Sequence, residues 1–168
     1  MASILDIRAT HGGGKSTLVR SILENYSHKP VEENGEHLGY HVPSIDCGVI
    51  AKYTKTGGGC DGVKSADEVV RRVKLFSNMF ETTVFEGVLI SHTYGRYAAL
   101  ADELGRSNYW FLFLNTPLEV CIARVERRRK EKGNIKPLDP KNVIKDHRCD
   151  WEVLRPRFQA AGYNVGVL

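Results

Sequence analysis

Residues 8–20, RATHGGGKSTLVR, constrain the fold of this chain more than any other segment. From Ala9 to Ser16 they read A-x-x-x-x-G-K-S, the spacing of a phosphate-binding P-loop, with alanine in place of the usual first glycine. An apolar run at residues 4–7 suits a buried strand, and apolar positions at helical spacing follow within residues 18–23. Because the motif requires a strand before it and a helix after it, the segment predicts a strand–loop–helix unit that binds phosphate.

The residue types of this loop suit a nucleoside triphosphate. Glycines leave no side chain in the way, so their N–H groups can converge on phosphate oxygens at the positive end of the following helix. Lys15 is expected to bridge the β- and γ-phosphates and the Ser16 hydroxyl to ligate Mg²⁺. We therefore expect ATP and Mg²⁺ as cofactors. The residues expected to bind the nucleotide here are His11, Gly12, Gly13, Gly14, Lys15, Ser16 and Thr17.

Length and composition exclude several classes of protein. A chain of 168 residues suits a single domain, residues 1–168, and its 42% hydrophobic and 26% charged residues are ordinary for a globular protein. No apolar run approaches the roughly 18 residues of a membrane span, and the N-terminus lacks a signal pattern. We expect a cytoplasmic protein with no membrane partner. The four cysteines form no C-x-x-C pair, so we expect no zinc site.

Strands alternate with helices along the chain, which predicts an α/β fold in three layers. The expected architecture is a mostly parallel five-stranded sheet with helices on both faces and ligands at the carboxyl ends of the strands. The predicted strands are residues 4–7, one or two within 39–53, 82–90, 109–114 and 165–168. The predicted helices follow the P-loop, the capping box Ser65–Glu68, Pro117 and Pro140, and cover 97–104. Residues 27–38 and the glycine-rich residues 54–62 are predicted to be loops.

A P-loop identifies a nucleotide site but not a reaction, and three classes of P-loop protein compete. A GTPase should carry N-K-x-D for guanine, which is absent, and an ABC-type ATPase needs an L-S-G-G-Q-like segment and a longer chain. A small kinase needs an acceptor pocket, an acidic residue near the acceptor hydroxyl and a basic lid. The sequence offers candidates for all three requirements of a kinase. The candidate for the basic lid is residues 124–145, which alone carry a charge of +6 in a chain of net charge +4.

Three motifs resemble the P-loop kinases of the nucleoside and nucleotide kinase superfamily: strand–GGGKST–helix, the strand ending in FEG, and FLNTPLEVCIARVERRRK. In that superfamily an NTP or DTP leads into a helix that ends in a short Arg-rich lid. The segment GVIAKYTKTGGGCDGVKSADEV is similar to small phage-encoded P-loop kinases, in particular 5-hydroxymethyluracil DNA kinases. The resemblance implies transfer of the γ-phosphate of ATP to a hydroxyl. The favoured acceptor is the hydroxymethyl group of 5-hydroxymethyluracil in phage DNA, in the cytoplasm of an infected host.

The resemblance also suggests roles for acidic residues. Glu86 ends the strand TTVFE, where P-loop kinases carry an acidic residue for Mg²⁺ or for activation of the acceptor. Asp61, in the glycine-rich loop, is a second candidate for accepting the proton of the acceptor hydroxyl or for binding its base. Asp46 is a third, weaker candidate. Which of Glu86 and Asp61 is the base stays open at this point.

Basic and aromatic residues complete the candidates. Arg124, Arg127 and Arg128 are the expected lid residues, because a guanidinium can hold phosphoryl oxygens bidentately, and Arg124 and Arg128 share a helix face. The same basic segment can equally contact DNA phosphates. One aromatic ring near the acceptor is expected to stack on a base. The candidates for that ring are Tyr40, Tyr53, Tyr94, His41 and His92.

Three alternatives to the favoured function remain. A nucleoside or nucleoside monophosphate kinase acting on free nucleotides would need an arginine for the substrate phosphate, for which Arg71, Arg72 and Arg96 are available. A polynucleotide 5′-hydroxyl kinase would use the same basic segment. A nucleotide-binding switch without transfer is the remote alternative, since switches usually obtain such arginines from a partner.

Overall fold

The computed structural model describes residues 2–55 and 57–168. Thr56, which belongs to the predicted glycine-rich loop, and Met1 lie outside the described residues. All strands of the described chain join one sheet, in the order β2-β3-β4-β5-β1-β6-β7. The strands are β1 (Ser3–Arg8), β2 (Lys29–Glu33), β3 (Glu36–Val42), β4 (Cys47–Ile50), β5 (Thr82–Glu86), β6 (Tyr109–Phe113) and β7 (Asn164–Val167).

Five of these strands form the parallel sheet that the sequence predicts. Neighbouring strands in the series β4-β5-β1-β6-β7 are parallel throughout. β1 lies at the centre, where Ile7 pairs with Glu86 of β5 and Arg8 with Phe113 of β6. The chain therefore leaves the carboxyl end of β1 into the P-loop beside the end of β5, and this register brings the P-loop and Glu86 together.

Helices cover both faces of the sheet, as expected for three layers. One apolar cluster packs Val19 and Leu23 against Ile7 and Val84 of the sheet. The larger cluster, on the other side, contains residues such as Phe76 and Phe158 from other helices. The helices are α1 (Lys15–Asn25), α2 (Ala66–Met79), α3 (Val88–Ser91), α4 (Gly95–Leu104), α5 (Leu118–Glu131), α6 (Lys141–Arg148) and α7 (Arg155–Ala160), with a π-helical turn at Cys149–Leu154. Among the described residues no helix is long and apolar enough to span a membrane.

The prediction of a loop at residues 27–38 was wrong. This segment forms β2 and the start of β3, an antiparallel hairpin added to the edge of the parallel sheet. Asn34 and Gly35 both have positive φ angles, 52° and 80°, as a two-residue type I′ turn requires. Pro30 is tolerated in β2 because this strand lies at the edge of the sheet.

The predicted strand 82–90 is also shorter than expected. β5 ends at Glu86, and residues 88–91 turn into the short helix α3. The capping box at Ser65 is only half formed. The Ser65 hydroxyl accepts the Glu68 N–H at 3.1 Å, but the Glu68 carboxylate binds Arg71 and Arg72 instead of reaching back.

A buried ion pair lies under the start of the P-loop. The Arg8 guanidinium donates to Asp6 at 2.8 Å, and both side chains are fully buried. Arg8 also donates to the carbonyl of Thr93 at 2.9 Å and lies 4.8 Å from the ring centroid of Phe158. Burial raises the pKa of Asp6, against the opposing effect of Arg8. These contacts tie β1 to the segment that follows α3.

Candidate active site

The P-loop is held in a shape that only glycine permits. Gly12 and Gly14 have φ angles of 80° and 94°. A Cβ atom at Gly12 would lie 2.5 Å from the carbonyl oxygen of Cys121 in α5, a backbone contact that cannot move aside. The Gly13 N–H donates to the Thr10 carbonyl at 2.8 Å, while Thr116 donates its hydroxyl to the carbonyl of Gly13 at 2.8 Å. The loop is therefore packed between β1 and the start of α5.

Lys15 lies under the loop rather than in solvent. Its Nζ donates to the carbonyl of Ala9 at 2.7 Å, and the side chain is buried. Burial lowers the pKa of Lys15, and the carboxylates of Glu86, Asp150 and Asp61 oppose that shift in this order. Three acidic side chains thus act electrostatically on one buried lysine, and ionisable groups with perturbed pKa values tend to cluster at functional sites.

Glu86 contacts the P-loop helix directly. One carboxylate oxygen, Oε1, accepts the hydroxyl of Ser16 at 2.8 Å and the hydroxyl of Tyr53 at 3.1 Å. The side chain is 1% exposed. Burial raises the pKa of Glu86, and the Ser16 hydrogen bond and Lys15 oppose that rise. Because a higher pKa makes a carboxylate a stronger base, burial makes Glu86 a better acceptor for a proton.

Ser16 and Glu86 fit the binding of Mg²⁺. A hydroxyl and a carboxylate oxygen 2.8 Å apart are hard oxygen ligands, and Mg²⁺ is usually held by one or two protein groups together with substrate phosphates and water. Within residues 2–55 and 57–168 no group of three or more His, Cys, Asp or Glu side chains is placed to hold a metal ion.

The glycine-rich loop closes over Glu86 from the other side. A Cβ atom at Gly59 would lie 2.2 Å from Oε1 of Glu86, and one at Gly58 would lie 2.4 Å from the ring of Tyr53. On its outer side the loop borders a cleft of about 450 Å³. The cleft is lined by loop backbone at Gly57–Gly59 and by side chains that include His37, Lys52, Lys64 and Arg72.

Asp61 lies next to Glu86 but is occupied by the backbone. Its carboxylate accepts the N–H groups of Val88 at 2.8 Å and of Leu89 at 3.2 Å, at the first turn of α3. The loop is thus fastened to the residues that directly follow Glu86. Of the two acidic candidates, Glu86 contacts the P-loop side chains and Asp61 fixes the loop that covers them.

The three arginines on α5 differ in position. Arg124 donates to the carbonyl of Gly12 at 3.3 Å and overhangs the P-loop. Arg128 is exposed, and its charge lowers the pKa of Lys15. Arg127 points outward, where it is 72% exposed and lies 3.7 Å from Glu131. With Arg124 it borders a second, shallower cleft of about 430 Å³ on α5.

The remaining nucleotide-binding candidates lie at the rim. The His11 ring is 2.9 Å from the Asp146 carboxylate, at the exposed outer edge of the loop. Thr17 is exposed on the first turn of α1.

Asp46, the third acidic candidate, lies far from this site. It accepts the Glu81 N–H at 3.1 Å and contacts His41 at 3.1 Å, next to the start of β5 rather than its end. His41 stacks on Phe80 there, with ring centroids 4.4 Å apart. β5 begins beside Asp46 and ends at Glu86. Asp46 and His41 therefore lie at the amino ends of the parallel strands, whereas the P-loop lies at their carboxyl ends.

The arginines proposed for a free nucleotide phosphate are all paired. Arg71 and Arg72 both bind Glu68 at 2.8 Å, and Arg96 binds Asp67. Arg72 is buried, because its ion pairs allow a guanidinium to be covered.

Two contacts of the site could not be predicted from any pattern in the sequence. Tyr53 was only one of several candidate rings, and its hydroxyl bond to Glu86 spans 33 residues. Asp150, on the π-helical turn, is fully buried and lies 3.4 Å from the hydroxyl of Thr10. Only the folded chain brings residue 150 to the P-loop.

A parallel sheet whose central strand ends in a P-loop, with a buried carboxylate on the next strand bonded to its serine, defines a P-loop kinase, a phosphotransferase. Known proteins agree with this class. The sequence profile of the 5-hmdU DNA kinase family matches residues 1–162, so the chain belongs to the 5-hmdU DNA kinase family.

Individual relatives cover this chain to different extents. A 5-hmdU DNA kinase of Pseudomonas phage PaMx11 is 33% identical over 147 residues, which are 83% of this chain and 77% of that protein. A 5-hmdU DNA kinase of Delftia phage PhiW-14 is 27% identical over 86% of this chain and 60% of its own length. The one of Bacillus phage SP10 is 29% identical over 135 residues, only 21% of that protein. The chain thus spans most of the first relative and smaller parts of the other two.

Proposed function

We propose that this kinase transfers the γ-phosphoryl group of ATP, with Mg²⁺, to the hydroxymethyl group of 5-hydroxymethyluracil in DNA. The observation that carries the proposal is the contact between Ser16 of the P-loop helix and the buried Glu86, which lies directly beneath the glycine-rich loop. This contact supports the proposal that the nucleotide site and an acidic residue for the acceptor hydroxyl are neighbours. The family supplies the acceptor, since its members carry the name 5-hmdU DNA kinase.

On the donor side the chain supplies positive charge and oriented N–H groups. The backbone of Gly12–Gly14 and the ammonium group of Lys15 bind the phosphates, with His11 and Thr17 at the rim of the site. Arg124 and Arg128 offset the charge that develops on the transferred group, and Arg127 adds positive charge farther out. Such positioning and electrostatic stabilisation account for most of the catalysis of phosphoryl transfer.

On the acceptor side Glu86 has two tasks. Ser16 and one carboxylate oxygen of Glu86 would hold Mg²⁺, which when bound neutralises the phosphates of the nucleotide. A carboxylate has two oxygens, so Glu86 can also accept the proton of the hydroxymethyl group. The hydroxyl oxygen then bonds to the γ-phosphorus while the bond to the β,γ-bridging oxygen breaks. Asp61 holds the covering loop in place through the backbone of α3.

The cleft beside the glycine-rich loop suits the DNA strand. Lys52 and Lys64 are exposed on its walls, and lysines of this kind neutralise backbone phosphates without reading sequence. The loop glycines permit close approach of a backbone or a base. A kinase for free nucleotides would instead need an unpaired arginine, and Arg71, Arg72 and Arg96 all bind carboxylates.

The test is transfer of labelled γ-phosphate from ATP to three acceptors in parallel. They are DNA that contains 5-hydroxymethyluracil, ordinary DNA with free 5′-hydroxyl ends, and a mixture of nucleosides and nucleoside monophosphates. We expect label only on the modified DNA, and on the modified nucleoside after enzymatic digestion. Lys15→Ala, which removes the ammonium group under the loop, is the inactive control. Label on 5′ ends or on free nucleotides would contradict the proposed acceptor.

A further inference from the structure

A fully buried carboxylate, Asp150, lies against the P-loop. It comes from the π-helical turn Cys149–Leu154 between α6 and α7. Single π-helical turns inside helices occur frequently at functional sites. The Asp150 Oδ2 atom is 3.4 Å from the hydroxyl of Thr10, whose carbonyl in turn accepts the N–H of Gly13. Asp150 therefore touches the loop through the residue that shapes it.

The second oxygen of this carboxylate has no hydrogen-bond partner among the described residues. Asp150 Oδ1 and His92 Nε2 are both buried and unpaired, and they lie only 3.8 Å apart. Buried polar atoms are normally hydrogen-bonded, and leaving one unpaired costs about 1–3 kcal/mol. The 3.8 Å between the two atoms is longer than a hydrogen bond. A proton on Asp150 Oδ1 would make this oxygen a donor to His92 Nε2 once the two side chains move slightly closer.

We propose that Asp150 is a positioning residue of the phosphate-binding loop, and that the Asp150–His92 pair takes up a proton when the loop binds a phosphate chain. The proposal rests on the nucleotide site described above. A phosphate chain brings negative charge into the same poorly solvated region, and an ionised Asp150 would oppose it. Protonation removes that charge and completes the contact with His92.

The environment of Asp150 favours protonation of its carboxyl near neutral pH. Burial raises the pKa of Asp150 to about 7, while Lys15, Arg8 and the Thr10 hydroxyl act in the opposite direction. Burial lowers the pKa of His92 and so favours the neutral ring, whose unprotonated nitrogen can accept a hydrogen bond from a protonated carboxyl. The titratable and charged groups that face Asp150 from the packed elements are Lys15, Arg8, Asp146, His92, Cys121 and Cys149.

The test is the affinity for ADP with MgCl₂, measured by calorimetry between pH 6 and pH 8, for the wild type and Asp150→Asn. Near pH 6 the wild-type carboxyl is mostly protonated and resembles the amide, so the two dissociation constants should agree. At pH 8 the wild type should bind more weakly than the variant by severalfold, up to about tenfold for a one-unit shift of the pKa on binding. Glu152→Gln, an exposed change of the same charge on the same turn, should follow the wild type.

A ratio of affinities that does not change with pH would overturn the proposal. Absence of ADP binding in the wild type would instead contradict the proposed function, so the two failures are distinct. If Asp150→Asn does not fold, Thr10→Val keeps the carboxyl and removes its hydroxyl donor. Because the Thr10 hydrogen bond lowers the pKa of Asp150, its loss should move the midpoint of the pH dependence upward, and an unmoved midpoint would refute the role of Thr10.

Discussion

Gly59 gives the sharpest test of how the glycine-rich loop controls Glu86. Its φ and ψ angles of 88° and −179° lie in a region open almost only to glycine, where another residue costs of order 1–3 kcal/mol. A Cβ atom added there would lie 2.2 Å from Oε1 of Glu86, and ordinary contact begins near 3.4 Å. Gly59→Ala must therefore displace either the loop or the carboxylate by about 1 Å.

Such a displacement has a calculable effect on the rate. Misplacing a catalytic group by about 1 Å can reduce turnover on the order of 10²-fold, which corresponds to about 2.7 kcal/mol in the activation free energy. The three atoms nearest to the added Cβ all belong to Glu86, which reaches the P-loop through its hydrogen bond with Ser16. We expect kcat for 5-hydroxymethyluracil DNA to fall by about that factor, with little change in the dissociation constant for ATP measured without Mg²⁺.

Gly62→Ala is the matched control in the same loop. Gly62 has no positive φ angle and no atom within 4 Å of its added Cβ, so this variant should keep nearly full activity. Both variants are compared by steady-state kinetics on the modified DNA and by direct ATP binding. Full turnover in Gly59→Ala would refute the reasoning, and so would an equal loss in Gly62→Ala.

Three further predictions concern the acidic residues, the arginines and the core. Glu86→Gln should lower kcat by about 10²- to 10⁴-fold, the usual contribution of a general base. Asp61→Asn should instead destabilise the fold by about 0.5–1.5 kcal/mol in denaturant titrations, because one exposed backbone N–H loses its protein acceptor. Equal effects of the two variants on kcat alone would contradict this division. Arg124→Ala should weaken ATP binding measurably, whereas Arg127→Ala should change the binding free energy by less than about 0.5 kcal/mol, as for an exposed ion pair. A larger loss of ATP affinity in Arg127→Ala than in Arg124→Ala would mean that the nucleotide binds elsewhere. Arg8→Met should reduce the free energy of unfolding by about 3–5 kcal/mol, because it leaves a buried carboxylate without its partner, and a loss below 1 kcal/mol in urea titrations would show that the ion pair is not needed.

The sequence predicted the parts of the fold that depend on local patterns. The P-loop strand and helix, the capped helix α2 and the strand β6 appear where their spacing placed them. The hairpin of β2 and β3 was missed because the polar residues and Pro30 suggested a loop. Asn34-Gly35 between two extended segments was the available signal, since this pair is a strong indicator of a type I′ turn. Polar edge strands bury little apolar surface, so their pattern is weak.

Only those residues of the candidate site that lie within a recognisable sequence motif could be predicted. The carboxyl ends of β1 and β5 are adjacent in the sheet, so a P-loop and an end-of-strand glutamate meet as a consequence of topology. Tyr53 and Asp150 reach the same place from a loop and from a π-helical turn, neither of which has a recognisable pattern. The sequence also could not separate Glu86 from Asp61, because both are acidic residues beside glycine.

We infer that separation from the hydrogen-bond donors around each carboxylate. Asp61 receives two backbone N–H groups, which cannot leave without unwinding the first turn of α3, so we propose a structural role for it. Glu86 receives two side-chain hydroxyls, which can rotate away when a cation or a substrate hydroxyl arrives. Asp150 receives one long contact from Thr10 and faces an unpaired histidine. Backbone donors that cannot move suit the anchoring role proposed for Asp61, and hydroxyl donors that can rotate suit the role of proton acceptor proposed for Glu86. The unpaired oxygen of Asp150 suits a carboxylate that gains a proton only when the nucleotide binds.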